Sequence, residues 1–395
     1  MKKKRTILII LAVIILAVIA VAGVLAKNWN KPLGVGLSLA TRTPIPTQTP
    51  PIGTAAVHAG TEVVTLQAPT ETLAPTLTPT KAPVCGDQAL LYYLVAGVGD
   101  KDETYSYGVT DVIRIVRVDF MTPKVSILTL PRDMLVNFPN TFDSNGQQLI
   151  QGKLNQAYFF GSPNMNYYKG PGNGPGSLAE TIATNFDLYV DHYGVVNMQV
   201  FIDMINAMGG VDVYLPEFVD GRPQGEESFD LDKSQGFFEA GWNHMSGKDA
   251  LSFVRIRDRI GVEARRSNQT ILICALKDQL SQPSVAGTIP KLVSSLIEHT
   301  VTDLSPAQIS DLACLLPKLK SENLQFISMT VRNKNNPEGL LVPDMAEIAR
   351  LGGPSYVYTY DSEAVKAFID QFENDTLVPT AEVEAMGCPV PPPKN

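Results

Sequence analysis

The chain has 395 residues, 44% of them apolar, enough for a substantial core in one large or two modest domains. A net charge of −8 and a pI near 5.2 count against a nucleic-acid binder, so any anion site must be a local cluster of Arg and Lys. With no CxxC spacing and no nearby His pair, the four cysteines argue against a metal-thiolate site.

The chain opens with four positive charges in Met1–Arg5, followed by Thr6–Ala26, which carries no charge and is mostly Ile, Leu, Val and Ala. That is about the length that spans a bilayer as a helix. It exceeds the roughly 7–15-residue apolar core of a cleaved signal peptide, which favours a retained anchor. The leading charges orient residues 1–5 as a cytoplasmic tail, with everything after Lys27 outside the cell. Thr41–Pro83 is rich in Thr and Pro and cannot bury enough apolar surface to fold, so 27–84 is expected to be an extended extracellular stalk. One folded domain is expected over 85–390, with its core in 90–280 and a helical and strand extension after it.

Ala89–Asp100 is a continuous apolar run ending in Gly and Asp, which predicts a buried central strand. Asp111–Phe120 alternates apolar and polar residues, Met121–Lys124 reads as a turn, and Val125–Leu130 predicts a second strand of a hairpin. A short helix is expected at Lys153–Gly161. A capping box of Ser177 and Glu180 predicts a helix start at Ser177. A strand follows in Tyr189–Asn197, then a helix from Met198 stopped by Gly209 and Gly210, and a strand at Val211–Pro216. A turn at Gly247, a short helix leading to Arg255, and a helix over Arg265–Leu280 come next. Two helices in 292–319, one with a Ser305-Pro306 start, precede a strand at Leu324–Val331 and an amphipathic helix at Asp361–Phe372. Strands alternating with helices predict an α/β layered domain.

Cys85, Cys274, Cys314 and Cys388 all follow the apolar segment, where disulfides are permitted. Cys85 and Cys388 bracket the folded region, and Cys274 and Cys314 sit in two helix-like segments. The expected pairing is Cys85–Cys388 with Cys274–Cys314.

Several residues carry chemistry. Arg132 and Asp133 follow at once where a strand stops at Pro131, Lys153 opens KLN, and Arg255, Arg257 and Arg265 fall within eleven positions. The planar guanidinium fork suits phosphate. Arg255 and Arg257 would point the same way on an extended segment, and Arg265 and Gln269 share one face of a helix. Taken singly, each Arg is as well explained as a solvated surface charge. Asp111 opens one strand and Asp133 follows its hairpin partner. Two carboxylates there could hold Mg2+ beside a substrate phosphate, or could simply be strand-end turn residues.

In order, LYYLVAGVGD, TDVIRIVRVDFMTPKVSILTLPRDMLV, KLNQAYFFG, FIDMINAMGGVDVYLP, GWNHMSGKDALSFVRIRD and RRSNQTIL resemble the LytR-CpsA-Psr family, also called the cell-envelope-related transcriptional attenuator domain. The resemblance implies an α/β/α sandwich with a central mixed sheet and a hydrophobic pocket for a lipid tail. It implies a phosphotransferase that moves a glycopolymer from a polyprenyl-pyrophosphate carrier to a cell-wall acceptor, usually peptidoglycan. By motif, Arg132, Lys153, Arg255, Arg257, Arg265 and Gln269 would bind the pyrophosphate. Asp111, with Asp100 as its partner, would hold Mg2+, and Asp133 would orient Arg132 or support the metal. Arg132, Asp133, Arg257 and Glu263 would then form the catalytic set.

The chain departs from that pattern in two places. GVGD is one residue longer than the family's usual Gly-x-Asp, so Asp102 could substitute for Asp100. Val262 stands where the family has an Asp credited with activating the acceptor, and the adjacent Glu263 is the candidate replacement. A catalytically weak binder of the lipid-linked glycan, or a pyrophosphatase, is the alternative expectation. A non-enzymatic envelope regulator is a third.

Overall fold

The uninterrupted apolar run at the head of the folded region becomes strand β1 (Leu90–Val98), buried within the sheet. The computed structural model describes residues 29–37, 82–99, 108–222, 236–257, 261–282, 300–348 and 353–393, with only the backbone of 261–263. The expected anchor at Thr6–Ala26 and the Thr/Pro-rich 41–81 lie outside these residues. Among the described residues no helix is long and apolar enough to cross a membrane.

Strands β2 (Thr110–Asp119) and β3 (Lys124–Thr129) form the expected hairpin. Asp119 closes its turn by accepting from the backbone N–H groups of Met121 and Thr122 at 2.8 and 3.0 Å. Short strands β4 (Leu135–Asn137) and β5 (Gln151–Lys153) lead into helices α1 (Leu154–Gly161) and α2 (Asn173–Phe186). Strand β6 (His192–Asn197) passes directly into α3 (Met198–Ala207), whose first turn is capped by the Asn197 side chain accepting from Val200 N–H. Gly209 and Gly210, both at positive φ, end α3 before β7 (Val211–Leu215). Strands β8 (Val219–Asp220) and β9 (Phe237–Phe238) pair with each other, and β10 (Gly241–Met245) pairs with β7. The chain continues through α4 (Gly247–Arg255), α5 (Gly261–Leu280), β11 (Val301–Thr302), α6 (Pro306–Leu315), β12 (Leu324–Met329), the hairpin β13 (Val342–Glu347) and β14 (Pro354–Thr359), α7 (Ser362–Glu373) and β15 (Val383–Gly387). Ser305 caps α6 ahead of Pro306, and Asp361 caps α7.

Seven strands form one mixed sheet in the order β11-β6-β1-β2-β3-β12-β15. β1 pairs antiparallel with β2 and parallel with β6, while β3 pairs antiparallel with β2 and parallel with β12. Alternate side chains take opposite faces. Ile113 and Ile115 of β2 join a core with Leu178 and Ile182 of α2 and Phe368 and Ile369 of α7. Val118 of β2, with Val125 of β3 and Phe326 of β12, joins Cys274 of α5 and Leu315 of α6 in a core on the other face. The sheet therefore lies between two helical layers. On the second face it leaves an almost wholly apolar cavity of about 390 Å³, lined by Val116, Val118 and Ile127 below and Ile273, Leu276 and Leu312 above.

The structure corrects several expectations. α2 starts at Asn173, not Ser177. Ser177 is buried within the helix, and Glu180 accepts instead from Asn140 Nδ2 and the Tyr168 hydroxyl. Gly247 is the first residue of α4, capped by Ser246. Strands β10, β13, β14 and β15 were not legible. Residues 29–37, within the range read as stalk, pack on the domain. Leu33 N–H donates to Leu304 C=O (3.1 Å), Ala307 N–H to Trp29 C=O (3.0 Å), and the Tyr193 hydroxyl to Val35 C=O (2.9 Å).

The disulfides are Cys85–Cys314 and Cys274–Cys388, so neither bond of the expected pairing forms. Bracketing the domain in sequence does not bring Cys85 and Cys388 together in space. Val84 is bonded to Phe120 at the far end of β2, against α6, whereas β15 carries Cys388 to the β12 edge beneath α5. Non-reducing digestion and mass spectrometry should recover these two linked peptides and no Cys85–Cys388 peptide. Cys388→Ala should lower unfolding stability by about 2–5 kcal/mol in denaturant titrations.

Candidate functional site

Pro131 has no N–H, so the β2–β3 ladder stops there after Leu130 N–H donates to Ile113 C=O (3.0 Å). The next three residues are pinned through their carbonyls. Arg132 C=O accepts from Asn155 N–H (3.0 Å), Asp133 C=O from Tyr358 N–H (2.8 Å), and Met134 C=O from Leu154 N–H (2.9 Å). The start of α1 and strand β14 thus fix where the Arg132 and Asp133 side chains emerge.

Arg132 Nη1 donates to Asp111 Oδ1, and its Nε donates to Asp133 Oδ2 at 3.3 Å. The other oxygen of Asp133 accepts from Lys153 Nζ at 2.9 Å. Asp133 is therefore a shared anchor for two cations, while the Asp111 side chain keeps 44% of its surface exposed. β1 arrives at the same place, because a Cβ on Gly99 would stand 3.0 Å from Asp111 Oδ2. Asp100 follows Gly99 directly, but Asp100 and Asp102 lie outside the described residues.

The first turns of α5 bring Arg265 to this cluster. Burial, then the charges of Arg132 and Arg257, push its guanidinium below the usual range, with Asp111 and Asp133 opposing. Its Nε is buried without a hydrogen-bond partner among the described residues. For Arg132, burial works against the charged form, but Asp133 and Asp111 together outweigh it and the net shift is upward. Arg132, Lys153, Arg257 and Arg265 thus face only two described carboxylates, Asp111 and Asp133. A dianion or larger polyanion is the group that would relieve this repulsion.

Not every expected residue joins. Arg255 is the exposed last residue of α4, not part of an extended pair with Arg257, and only Arg257 is among the charges that shift Arg265. Gln269 is turned away from the cluster. Its Nε2 donates to Val254 C=O (3.3 Å) and its Oε1 accepts from Arg114 Nη2 (2.8 Å). Val262 and Glu263 lie in the first turn of α5, and their side chains are outside the described residues. Arg114 was missed. Its signal was a charge at an inward position of a central strand, two residues before Val116. Among the described residues no three metal-ligating side chains stand together. The exposed Asp111 carboxylate therefore suits Mg2+ that keeps waters and takes its remaining oxygens from a bound phosphate, rather than a closed protein cage.

The LytR_cpsA_psr family model matches residues 71–351. Polyisoprenyl-teichoic acid–peptidoglycan teichoic acid transferase TagV of Bacillus subtilis (strain 168) is 27% identical over 240 residues, 60% of this chain and 56% of that protein. Polyisoprenyl-teichoic acid–peptidoglycan teichoic acid transferase TagU of Halalkalibacterium halodurans is 26% identical over 267 residues, 66% of this chain and 76% of its own. Regulatory protein MsrR of Staphylococcus aureus (strain COL) is 24% identical over 226 residues, 57% of this chain and 60% of its own. The match thus spans little more than half the length of TagV. In fold, the crystal structure of B. subtilis TagV gives a TM-score of 0.52 at 22% identity, covering 74% of this chain and 100% of that one. The gbs0355 protein of Streptococcus agalactiae gives 0.53 at 20%, covering 73% and 88%.

Inorganic pyrophosphate should bind this cluster and raise the thermal midpoint. At about 100 times its Kd the stabilisation is about 2.7 kcal/mol, a shift of several degrees. Arg265→Met should remove most of that shift while leaving the unliganded midpoint equal to or above that of the unaltered protein, because a buried, crowded cation is lost.

Proposed function

The chain belongs to the LytR_cpsA_psr family, and from that premise we propose that it is a membrane-anchored phosphotransferase. It would move a glycopolymer from a polyprenyl-pyrophosphate carrier to a hydroxyl of a cell-wall acceptor such as peptidoglycan. The observation that carries this reading is one juxtaposition: a cation cluster and an exposed carboxylate stand at one end of the sheet face whose other end is the apolar cavity. An amphiphile with a pyrophosphate head and a hydrocarbon tail fits that division. The relatives named for transfer of teichoic acid from a polyisoprenyl carrier to peptidoglycan support the substrate class. Anchoring rests on Thr6–Ala26, with residues 1–5 cytoplasmic and the domain outside.

In the proposed reaction the acceptor hydroxyl oxygen bonds to the glycan-side phosphorus. The bridging P–O bond breaks and polyprenyl phosphate leaves with the electron pair. Arg132, Arg257 and Arg265 stabilise charge on the transferring and leaving phosphates, and Lys153 with Asp133 holds Arg132 in place. Glu263 is the candidate to accept the hydroxyl proton, one residue after Val262. Asp111, with Asp100, is the candidate ligand set for Mg2+, which when bound supplies charge neutralisation on the pyrophosphate oxygens.

The absence of an acid at Val262 favours one other reading: the protein binds the lipid-linked glycan, or hydrolyses its pyrophosphate, without efficient transfer. Incubation with a labelled polyprenyl-pyrophosphate glycan, peptidoglycan and Mg2+ separates the two. Covalent label on peptidoglycan supports transfer, while bound carrier or released phosphate without that label supports the other. Arg257→Ala and Asp111→Ala should each reduce transfer by about 10²–10³-fold with unchanged circular dichroism. Transfer by Arg257→Ala at the rate of the unaltered protein would overturn the assignment.

A further inference from the structure

Arg114 is 6% exposed, in the middle of the central sheet. It shares the face of Val116 and Val118, which line the apolar cavity. Registers place it in a row with Val95 of β1, Thr129 of β3 and Ser328 of β12. The next row toward the cavity is Tyr93, Val116, Ile127 and Phe326, and the one after it holds Val118, Val125 and Leu324. Read along the strands, this face passes from a polar row to apolar rows over two residues, roughly 6.8 Å. In the other direction, β2 reaches Asp111 three residues before Arg114, in contact with Arg132. α5 gives the order along this face: Arg265 meets the cluster, Gln269 one turn on accepts from Arg114, and Ile273 and Leu276 beyond it line the cavity, so Arg114 stands between the cation cluster and the cavity.

Its company is short of negative charge. Its hydrogen-bond partner among the described residues is the neutral amide oxygen of Gln269. The nearest other cation, Arg266, is itself engaged with Ser328 Oγ (2.9 Å) and Glu384 (3.4 Å). Burial, then Arg266, pull the Arg114 guanidinium down to about 10. Among the described residues no carboxylate pairs with it; a buried cation so placed is costly, and its five N–H donors exceed what one amide oxygen can accept.

Resting on the reading above, we propose that Arg114 binds the phosphate of the carrier that is esterified to the lipid. The Arg132 cluster then takes the glycan-side phosphate. Arg114 thus marks where a charged head must end and an apolar tail begin, and it selects a phosphorylated polyprenyl chain over a neutral one. After transfer it holds the leaving polyprenyl phosphate.

The test is binding to the full-length protein in detergent micelles, with three probes: a long-chain polyprenyl monophosphate, the polyprenol of equal length, and inorganic pyrophosphate. Arg114→Met should weaken the monophosphate by about tenfold or more, the loss of a charge-assisted hydrogen bond, should weaken inorganic pyrophosphate in the same direction because its second phosphate reaches the same guanidinium, and should change the polyprenol by less than about twofold. Arg114→Lys, which keeps the charge but loses the fork, should fall between. It also carries the test if the Met variant does not fold. Unchanged monophosphate binding by both variants overturns the proposal. So does an equal loss for polyprenol, which would make Arg114 a wall of the cavity. If the unaltered protein binds no polyprenyl phosphate at all, the functional reading itself fails. If it binds and the variants bind equally, only the role of Arg114 fails.

Discussion

Asp133 accepts from Arg132 through one oxygen and from Lys153 through the other, and this shared carboxylate lets two cations stand together where β3 ends. Without it the two would repel across a partly desolvated space, where screening by water is weak. The main chain is built to hold that carboxylate still. Pro131 ends the ladder, Tyr358 N–H from β14 holds the Asp133 carbonyl, and the start of α1 holds the carbonyls on either side. Residues from β3, β5, α1 and β14 converge to fix one side chain. The remaining repulsion falls on Arg265, whose Nε has no partner among the described residues and whose guanidinium pKa is pushed down by burial and by Arg132 and Arg257.

That end is coupled to the rest of the second helical layer through α5. Its first turns present Arg265 to the cluster, its next turn presents Gln269 to Arg114 and Val254, and Ile273 and Leu276 then roof the cavity. One helix thus spans the polar and apolar parts of the face. Gln269 ties the last turn of α4 to the sheet, which sets where the chain leaves toward Arg257. Gln269, expected to bind pyrophosphate, bonds here to the sheet and to α4.

The sequence made the strands of the hairpin legible because β2 and β3 follow simple alternation and their ends carry unusual charge pairs. It made α3, α6 and α7 legible because each has a short-range stop or cap: Gly209 and Gly210, Ser305 with Pro306, and Asp361. The false capping box at Ser177 shows the limit of that logic. The same four-residue spacing served tertiary bonds to Asn140 and Tyr168, and α2 began one turn earlier at Asn173. The disulfides failed for a related reason, since pairing depends on which sheet edge a strand joins, and β15 joins β12 by long-range contacts that leave no local pattern. Among site residues, Arg132, Asp133, Asp111, Lys153 and Arg265 came together because motifs at strand ends and helix starts survive tertiary packing. Arg114 escaped because an Arg in an alternating strand reads as solvent-facing until the second helical layer is seen to cover it.

The segment at residues 29–37 changes what the Thr/Pro-rich stretch does. Both its flanks are on the domain: residues 29–37 bond to Leu304, Ala307 and Tyr193, and Val84 bonds to Phe120. Under the proposed anchoring, only Lys27 and Asn28 separate the bilayer span from Trp29, which is bonded at the first turn of α6. A stalk of residues 27–84 would carry the domain away from the membrane, whereas under that anchoring a span tied this closely to α6 would hold it at the surface. Further along the same helix, Ile309, Leu312 and Leu315 wall the apolar cavity. Under the proposed function, a carrier whose tail starts in the bilayer and ends against Val116 would have less water to cross if the wall of the cavity were fastened next to the membrane. The hydrophobic cost of moving that tail scales with the apolar area exposed on the way, at roughly 25 cal/mol per Å², so a short tether lowers it and a long free stalk would not.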